Sequence, residues 1–236
     1  MTLFRPGEFH ITDRALELAS FKEGSRLLDI GCGEGDTVAH LGELGMEAEG
    51  IDMSLSMISA AKEKHPGIDV KFGDGEFLDD YSSFTFDGVL MECVLSLISI
   101  PDEALHEAYC VLKKGGRLII SDLYYKAPDP KQMEAVRTEA QRLSRAPRKE
   151  GDCQEHPERL VDFRFEGAFY AEPLKKQLEN IGYRVKAFED RSADLDNFVA
   201  QYLMDGGKPE DLMTNVKFSG KQKIGYFLLV AEKPLF

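Results

Sequence analysis

The stretch 27–37, LLDIGCGEGDT, constrains the fold of this chain more than any other. A short apolar run contains an acid, Asp29, and glycines then occupy every second position from Gly31 to Gly35. This pattern predicts a buried strand, a tight turn and the start of a helix, which together form the opening unit of a nucleotide-binding α/β domain. The charges around the turn decide which kind of nucleotide fits.

The residues that follow repeat this alternation of strand and helix. Apolar strand-like runs and helical segments alternate four times up to Ser121, which predicts a parallel sheet with helices on both faces. Two later strands are predicted at 183–188 and 225–232. The predicted fold is therefore a doubly wound α/β domain with a mostly parallel seven-stranded sheet and an antiparallel edge strand.

Local signals add three details to this fold. Thr12 precedes an apolar segment of helical period and is predicted to cap the first helix. The run KKGG at 113–116 is predicted to form a turn before the fifth strand. The polar, proline-containing segment 127–170 is interpreted as a helical insertion after strand five that covers the active face, within one domain spanning 1–236.

The composition excludes several classes of protein. Asp and Glu number 42 against 29 Lys and Arg, a net charge of −13, whereas a protein that grips a nucleic-acid backbone needs a basic surface. The longest nearly apolar run, 88–100, is too short to span a membrane. The four cysteines lack zinc-ligand spacing, so we expect no metal site, and reduced thiols in a cytoplasmic protein.

The glycine turn is not built for a phosphate. Its spacing is GxGxG rather than the GxGxxG of dinucleotide-binding turns, and no Lys-Ser or Lys-Thr pair of a phosphate loop follows. Asp29 precedes the turn and Glu34 lies inside it, and two carboxylates would repel a phosphate. A ligand that carries an ammonium and a sulfonium would instead be attracted.

Two more acids follow the next two strands. Asp52 ends the second predicted strand, where a carboxylate accepts hydrogen bonds from both hydroxyls of a ribose. Asp74 follows the third strand, where it is placed to accept from the exocyclic amine of an adenine. Three acids at three successive strand ends, around a turn without a phosphate site, favour S-adenosylmethionine over NAD.

The ordered motifs resemble those of the Rossmann-like, class I methyltransferases that use S-adenosylmethionine, of the type 11-like group. The matching segments are LLDIGCGEGDT, GIDMS, FGDGEFL, FDGVLMECVLSLI and VLKKGGRLIISDL, in the order and at the intervals typical of that family. The resemblance implies methyl transfer from S-adenosylmethionine, with S-adenosylhomocysteine as product.

The resemblance also implies roles for individual residues. Asp29 and Gly31 would hold the methionine end of the cofactor, and Gly33 would let it approach the backbone. The other expected cofactor-binding residues are Asp52 and Met53 at the ribose and adenine, Asp74, Gly75 and Glu76 at the adenine edge, and Glu92 beside the methionine moiety.

The acceptor and the catalytic residues stay open. A general base is needed only if the acceptor must lose a proton, and the candidates for catalysis are His10, Glu92, Cys93 and Tyr124. The segment around Cys93 is also similar to arsenite methyltransferases, although Glu92 replaces their asparagine and Arg164 replaces a later cysteine.

The leading hypothesis is methylation of a small molecule by a monomer or homodimer, without nucleic-acid or membrane partners. One alternative is methylation of arsenite or another thiol-bound species. The other alternative is a non-catalytic subunit that binds S-adenosylmethionine for a partner.

Overall fold

The computed structural model describes residues 5–127, 129–131, 134, 164–165, 168–208 and 223–235. The described helices are α1 (Glu8–Ala19), α2 (Asp36–Glu43), α3 (Leu55–Lys64), α4 (Pro101–Val111), α5 (Ala171–Ile181) and α6 (Ser192–Met204). The described strands are β1 (Arg26–Ile30), β2 (Glu47–Asp52), β3 (Asp69–Phe72), β4 (Phe86–Glu92), β5 (Leu112–Tyr125), β6 (Arg164–Phe165), β7 (Ala168–Phe169), β8 (Arg184–Asp190) and β9 (Ile224–Glu232).

The strands form one sheet with a parallel centre. Strands β3, β2, β1, β4 and β5 lie side by side in this order, and each neighbouring pair is parallel. Strand β9 pairs antiparallel with β5 on one side and with β8 on the other. The predicted doubly wound α/β fold, with antiparallel pairing near one edge of a mostly parallel sheet, is confirmed.

A short hairpin adds two strands to the seven predicted. Strands β6 and β7 pair antiparallel, and Phe169 of β7 pairs with Tyr124 of β5, beyond Ser121, the last residue of β5 that β4 reaches. The hairpin therefore lies where the parallel strands end. Most of the predicted insertion 127–170, including its helix, lies outside the described residues.

The alternation of side chains along the strands produces two cores. In β1, Leu28 and Ile30 join one buried cluster with residues of α4 and α5, while Leu27 joins the other with residues of α1, α2 and α6. Successive strand residues face opposite sides of a sheet, so β1 is apolar on both faces. Asp29 points to the same side as Leu27, toward α1.

Three local predictions were wrong. Helix α1 begins at Glu8, after Gly7 in the left-handed conformation, so Thr12 lies within the helix and does not cap it. Residues 113–116 belong to β5, which is longer than predicted because Leu112 already pairs with Phe86 before the register shifts. Cys32 and Cys93 are free thiols as expected, but Cys110 is disulfide-bonded and its partner lies outside the described residues.

Candidate active site

The polar groups that the sequence singled out meet at one edge of the sheet. Strands β1, β2, β3 and β4 end at Ile30, Asp52, Phe72 and Glu92, and all four run in the same direction. The loops after parallel strands open into a shared crevice, which is where α/β domains bind ligands. The glycine turn after β1 lies at the centre of this edge, because β1 is flanked by β2 and β4.

The glycines of the turn meet different surroundings. Gly31, Gly33 and Gly35 all have positive φ angles, of 75°, 52° and 78°, which non-glycine residues rarely adopt. A Cβ atom at Gly31 would lie 2.3 Å from Val94 Cγ2, and one at Gly35 would lie 2.5 Å from Ile68 Cδ1, so neighbouring side chains also exclude substitution there. A Cβ at Gly33 would meet no atom within 4 Å, which leaves the backbone of Gly33 open to a ligand.

Asp52 connects the end of β2 to the glycine turn. Its Oδ2 accepts a hydrogen bond from the Gly33 amide at 3.0 Å, and its Oδ1 accepts one from the Ser54 amide at 2.8 Å. Each carboxylate oxygen retains acceptor capacity beyond one such bond. The next residue, Met53, is 63% exposed, which leaves its thioether surface available to an aromatic ring.

Asp29 is the most unusual acid of the site. It is buried, and no side-chain or backbone donor among the described residues bonds its carboxylate. Burial, and then the negative charges of Glu92 and Asp52, raise the pKa of Asp29 well above its usual value, although Arg5 opposes the shift. Burial without a hydrogen-bond donor disfavours the ionised form of a carboxylate. A cation bound beside Asp29 would instead favour the ionised form and lower its pKa.

Glu92, in contrast, accepts hydrogen bonds at both of its carboxylate oxygens. Its Oε2 lies 2.5 Å from Nη1 of Arg5 and 3.2 Å from the Thr37 hydroxyl, and its Oε1 accepts from the Thr12 hydroxyl at 2.9 Å. Thr12 lies on helix α1 and Arg5 precedes this helix, so both contribute contacts to the end of β4. Sequence reasoning missed Arg5, Thr12 and Thr37, because no local pattern signals a contact across 87 residues.

The loop after β3 is held by its own hydrogen bonds. Asp74 Oδ1 accepts from the Glu76 amide at 2.9 Å, and Glu76 Oε1 accepts from the amides of Ser99 and Ile100 at 2.9 and 3.0 Å. A Cβ at Gly75 would lie 2.6 Å from Ile30 Cγ2, so this glycine is needed for close packing on β1. The described contacts of Glu76 thus fasten the loop before α4.

Comparison with known protein families identifies the family to which this chain belongs. A family model described as a methyltransferase domain matches residues 21–185, which is more than half of the chain. The chain belongs to this methyltransferase family. The resemblance predicted from the motifs is confirmed, and S-adenosylmethionine is the cofactor that the family uses.

The methyltransferase domain is similar to curated enzymes with different acceptors. It is 30% identical over 107 residues to demethylmenaquinone methyltransferase of Renibacterium salmoninarum, covering 45% of each chain. It is 26% identical over 235 residues to phosphoethanolamine N-methyltransferase 3 of Arabidopsis thaliana, covering 94% of this chain and 45% of the relative. It is 32% identical over 129 residues to arsenite methyltransferase of Mus musculus, covering 48% of this chain and 34% of the relative.

A solved structure supports the same fold. Phosphoethanolamine N-methyltransferase 2 of Haemonchus contortus, in complex with phosphomonomethylethanolamine and S-adenosylhomocysteine, aligns with a TM-score of 0.67 at 17% identity, covering 99% of this chain and 54% of that one. The methyltransferase domain spans about half the length of the curated relatives it matches. None of the helices in the described part of the chain is long and apolar enough to cross a membrane.

The candidates for catalysis occupy different surroundings in the methyltransferase domain. His10 is exposed on the first turns of α1. Tyr124 is buried edge-on against Phe188 and Phe227, and burial, followed by the charge of Asp190, raises the pKa of its hydroxyl. Neither side chain has a described contact with Asp29 or with Glu92.

Cys93 lies directly after Glu92 in a strained conformation. Its φ of 56° is in the left-handed region, and its Sγ is 2.7 Å from the Tyr226 hydroxyl, which in turn donates to the Ser121 hydroxyl at 3.0 Å. Burial, and then the negative charge of Asp122, raise the pKa of the Cys93 thiol to about 12. The thiol is therefore neutral at physiological pH in this state of the domain.

Proposed function

We propose that this methyltransferase domain transfers a methyl group from S-adenosylmethionine to a small-molecule acceptor. The observation that carries the proposal is the buried carboxylate of Asp29, which has no hydrogen-bond donor among the described residues. An anionic ligand such as a pyrophosphate would add a third charge beside Asp29 and Glu92, whereas an ammonium would neutralise one.

The residues around Asp29 fit the other parts of this cofactor. Asp52 presents a half-buried carboxylate with spare acceptor capacity to a ribose, and the exposed Met53 presents an apolar surface to an adenine. The open space above Gly33 permits contact between ligand and backbone. These hydrogen-bond acceptors and this apolar surface therefore suit a nucleoside that carries positive charge rather than phosphate.

The bound cofactor supplies an electrophilic methyl group on a sulfonium, so the chain has to bind, align and exclude water. A general base is required only for an acceptor that must lose a proton. Both oxygens of Glu92 are bonded by Arg5, Thr12 and Thr37, and this engagement argues for a binding and positioning role rather than for proton transfer.

A small acceptor is supported by charge. The net charge of −13 disfavours a polyanionic substrate. The relatives reported above are named for demethylmenaquinone, phosphoethanolamine and arsenite, which are all small molecules, whereas a further relative, from Mus musculus, is named for the guanine-N(7) position of 18S rRNA. The preference for a small molecule therefore rests on the acidic charge and not on the relatives.

Arsenite is the alternative acceptor, and Cys93 is the observation in its favour. This cysteine follows Glu92 at the end of β4 and is a free thiol. Arsenic(III) binds to thiolates, as other soft centres do. The neutral state of the thiol and its contact with Tyr226 support a packing role instead, so a small organic acceptor is the preferred proposal.

The proposal is tested in two steps on wild type, Asp29→Asn and the control Asp69→Asn, which changes an exposed acid at the opposite end of β3. Calorimetric titration with S-adenosylhomocysteine measures cofactor affinity, which we expect Asp29→Asn alone to weaken. Transfer of labelled methyl groups is then measured to a small-molecule extract, and to arsenite with glutathione.

Each outcome has a distinct meaning. Labelling of an extract component supports the proposal, while labelling of arsenite that is lost in Cys93→Ser favours the arsenite alternative. Saturable cofactor binding without any transfer favours a non-catalytic subunit that binds the cofactor for a partner. Absence of cofactor binding by the wild type would refute the proposed function altogether.

A further inference from the structure

Arg5 is a nearly buried cation in the middle of an acidic site. Its side chain is 12% exposed, its Nη1 lies 2.5 Å from Glu92, and its Nη2 donates to the Thr12 hydroxyl at 2.6 Å. Its charge also acts on Asp29. Within the described part of the chain, no other cationic side chain forms an ion pair with either of these acids.

The guanidinium has more donors than these contacts use. An arginine carries five N–H groups, and Nε of Arg5 is buried without a hydrogen-bond partner among the described residues. Buried donors are almost always bonded, so an orphaned one requires an explanation. A purely structural ion pair explains it poorly, because burying such a pair rarely adds stability compared with apolar packing.

The charge of the proposed cofactor supplies the explanation. The methionine end carries a carboxylate beside its ammonium, and that carboxylate has to sit close to Asp29 and Glu92. Two acids would repel it unless a cation lies between them and the ligand. A guanidinium is the cation whose planar donors match a carboxylate best.

Resting on the proposed function, we propose that Arg5 binds the α-carboxylate of the methionine moiety and makes the site selective for nucleosides that carry a complete amino acid. Glu92 then acts as a positioning residue, since Thr12 and Thr37 fix its oxygens and it fixes Nη1 of Arg5. Arg5, which precedes α1, is thereby part of the cofactor site.

The test compares two ligands that differ only in the carboxylate: S-adenosylhomocysteine and its decarboxylated form, which keeps the amine. Dissociation constants are measured by calorimetry for wild type, Arg5→Gln and Arg5→Lys. The matched control is Arg14→Gln, because Arg14 lies on α1, is 40% exposed and pairs with Glu17 and Glu189 away from the site. Thermal melting reports whether each variant is folded.

We expect Arg5→Gln to lose at least about tenfold in affinity for S-adenosylhomocysteine and to bind the decarboxylated ligand within about twofold of wild type. The affinity of Arg5→Lys for S-adenosylhomocysteine should lie between those of wild type and Arg5→Gln, because lysine keeps the charge and loses the planar donors. If Arg5→Gln does not fold, the two ligands are compared on Arg5→Lys instead.

Equal losses for both ligands would overturn the proposal, since they would mean that Arg5 acts only through the fold or through Glu92. Unchanged affinity for both ligands would overturn it as well. Failure of the proposed function looks different, because the wild type itself would then bind neither nucleoside.

Discussion

Asp52 Oδ2 accepts a hydrogen bond from the Gly33 amide at 3.0 Å, which ties the end of β2 to the turn after β1. The same carboxylate, through Oδ1, holds the Ser54 amide at the start of α3. Two neighbouring strand ends are thus fixed by one acid before any ligand arrives. A cofactor that bonds to Asp52 would meet a carboxylate whose position is already set, which lowers the entropy cost of binding.

Replacing Asp52 with alanine should therefore weaken cofactor binding. We expect a loss of about 1–3 kcal/mol in binding free energy, because the ribose hydroxyls lose their acceptor and the Gly33 amide loses the contact that orders the turn. Calorimetric titration with S-adenosylhomocysteine measures this. Glu47→Ala, at the exposed beginning of the same strand, is the control, and an unchanged affinity in Asp52→Ala would refute the ribose role.

Gly33→Val should block the cofactor while leaving the fold intact. The added side chain meets no protein atom within 4 Å of its Cβ, so it projects into the space assigned to the ligand. The φ of 52° makes the substitution cost about 1–2 kcal/mol of stability. Binding should fall by more than about tenfold, equivalent to about 1.4 kcal/mol.

Gly67→Val is the control that separates the backbone strain in Gly33→Val from its steric block of the cofactor. Gly67 also has a positive φ, of 93°, and open space at its Cβ, but it lies before β3 at the other edge of the sheet. Thermal melting should show a similar loss of stability in both variants. Normal cofactor binding by Gly33→Val would mean that the turn does not contact the ligand.

Asp29→Asn should stabilise the free protein and weaken its cofactor binding. Because the folded-state pKa of Asp29 is raised, the folded state holds a proton that the unfolded state releases above about pH 4. The contribution of Asp29 to the free energy of unfolding therefore falls as pH rises from about 4 through the folded-state pKa. Asparagine does not ionise, so Asp29→Asn avoids this loss of stability.

Melting temperatures of wild type and Asp29→Asn between pH 5 and pH 8 measure this effect. The advantage of the variant should grow with pH in the absence of ligand and shrink when S-adenosylhomocysteine is added. Asp69→Asn, which changes an exposed acid on β3, is the control. A difference between wild type and Asp29→Asn that does not change with pH would contradict an ionisable, buried Asp29.

The parts of this site that the sequence predicted are those set by local chemistry. Asp29 is the penultimate residue of β1, Asp52 ends β2, and Asp74 comes two residues after β3, so reading the strands correctly also placed these acids and the glycine turn at one edge. Thr12 was misread because a threonine before an apolar run favours a helix cap, while its actual partner, Glu92, lies 80 residues away. Arg5 left no signal at all, since its role depends on how α1 packs over the sheet.

Lys233 provides a prediction at the opposite edge of the sheet. It follows β9, is buried, and donates to the carbonyls of Tyr109 and Leu112 at 2.6 and 2.9 Å, at the end of α4. Its ammonium also lies 4.2 Å from the ring centroid of Phe84. Burial, and then the positive charge of Lys114, lower the pKa of Lys233 to about 8.

Lys233→Met should destabilise the fold by about 1–3 kcal/mol at pH 7, because two carbonyls lose their buried donor, and it should leave cofactor affinity unchanged. The unfolded state binds the lysine proton up to a pKa of about 10.4, so wild type should gain stability as pH rises from about 8 to 10 relative to the variant. Denaturant unfolding at several pH values measures both effects. Lys113→Met removes a half-exposed ion pair with Asp87 and should cost only about 0–1 kcal/mol. An equal cost for the two variants would show that Lys233 does not act as a buried cap of α4.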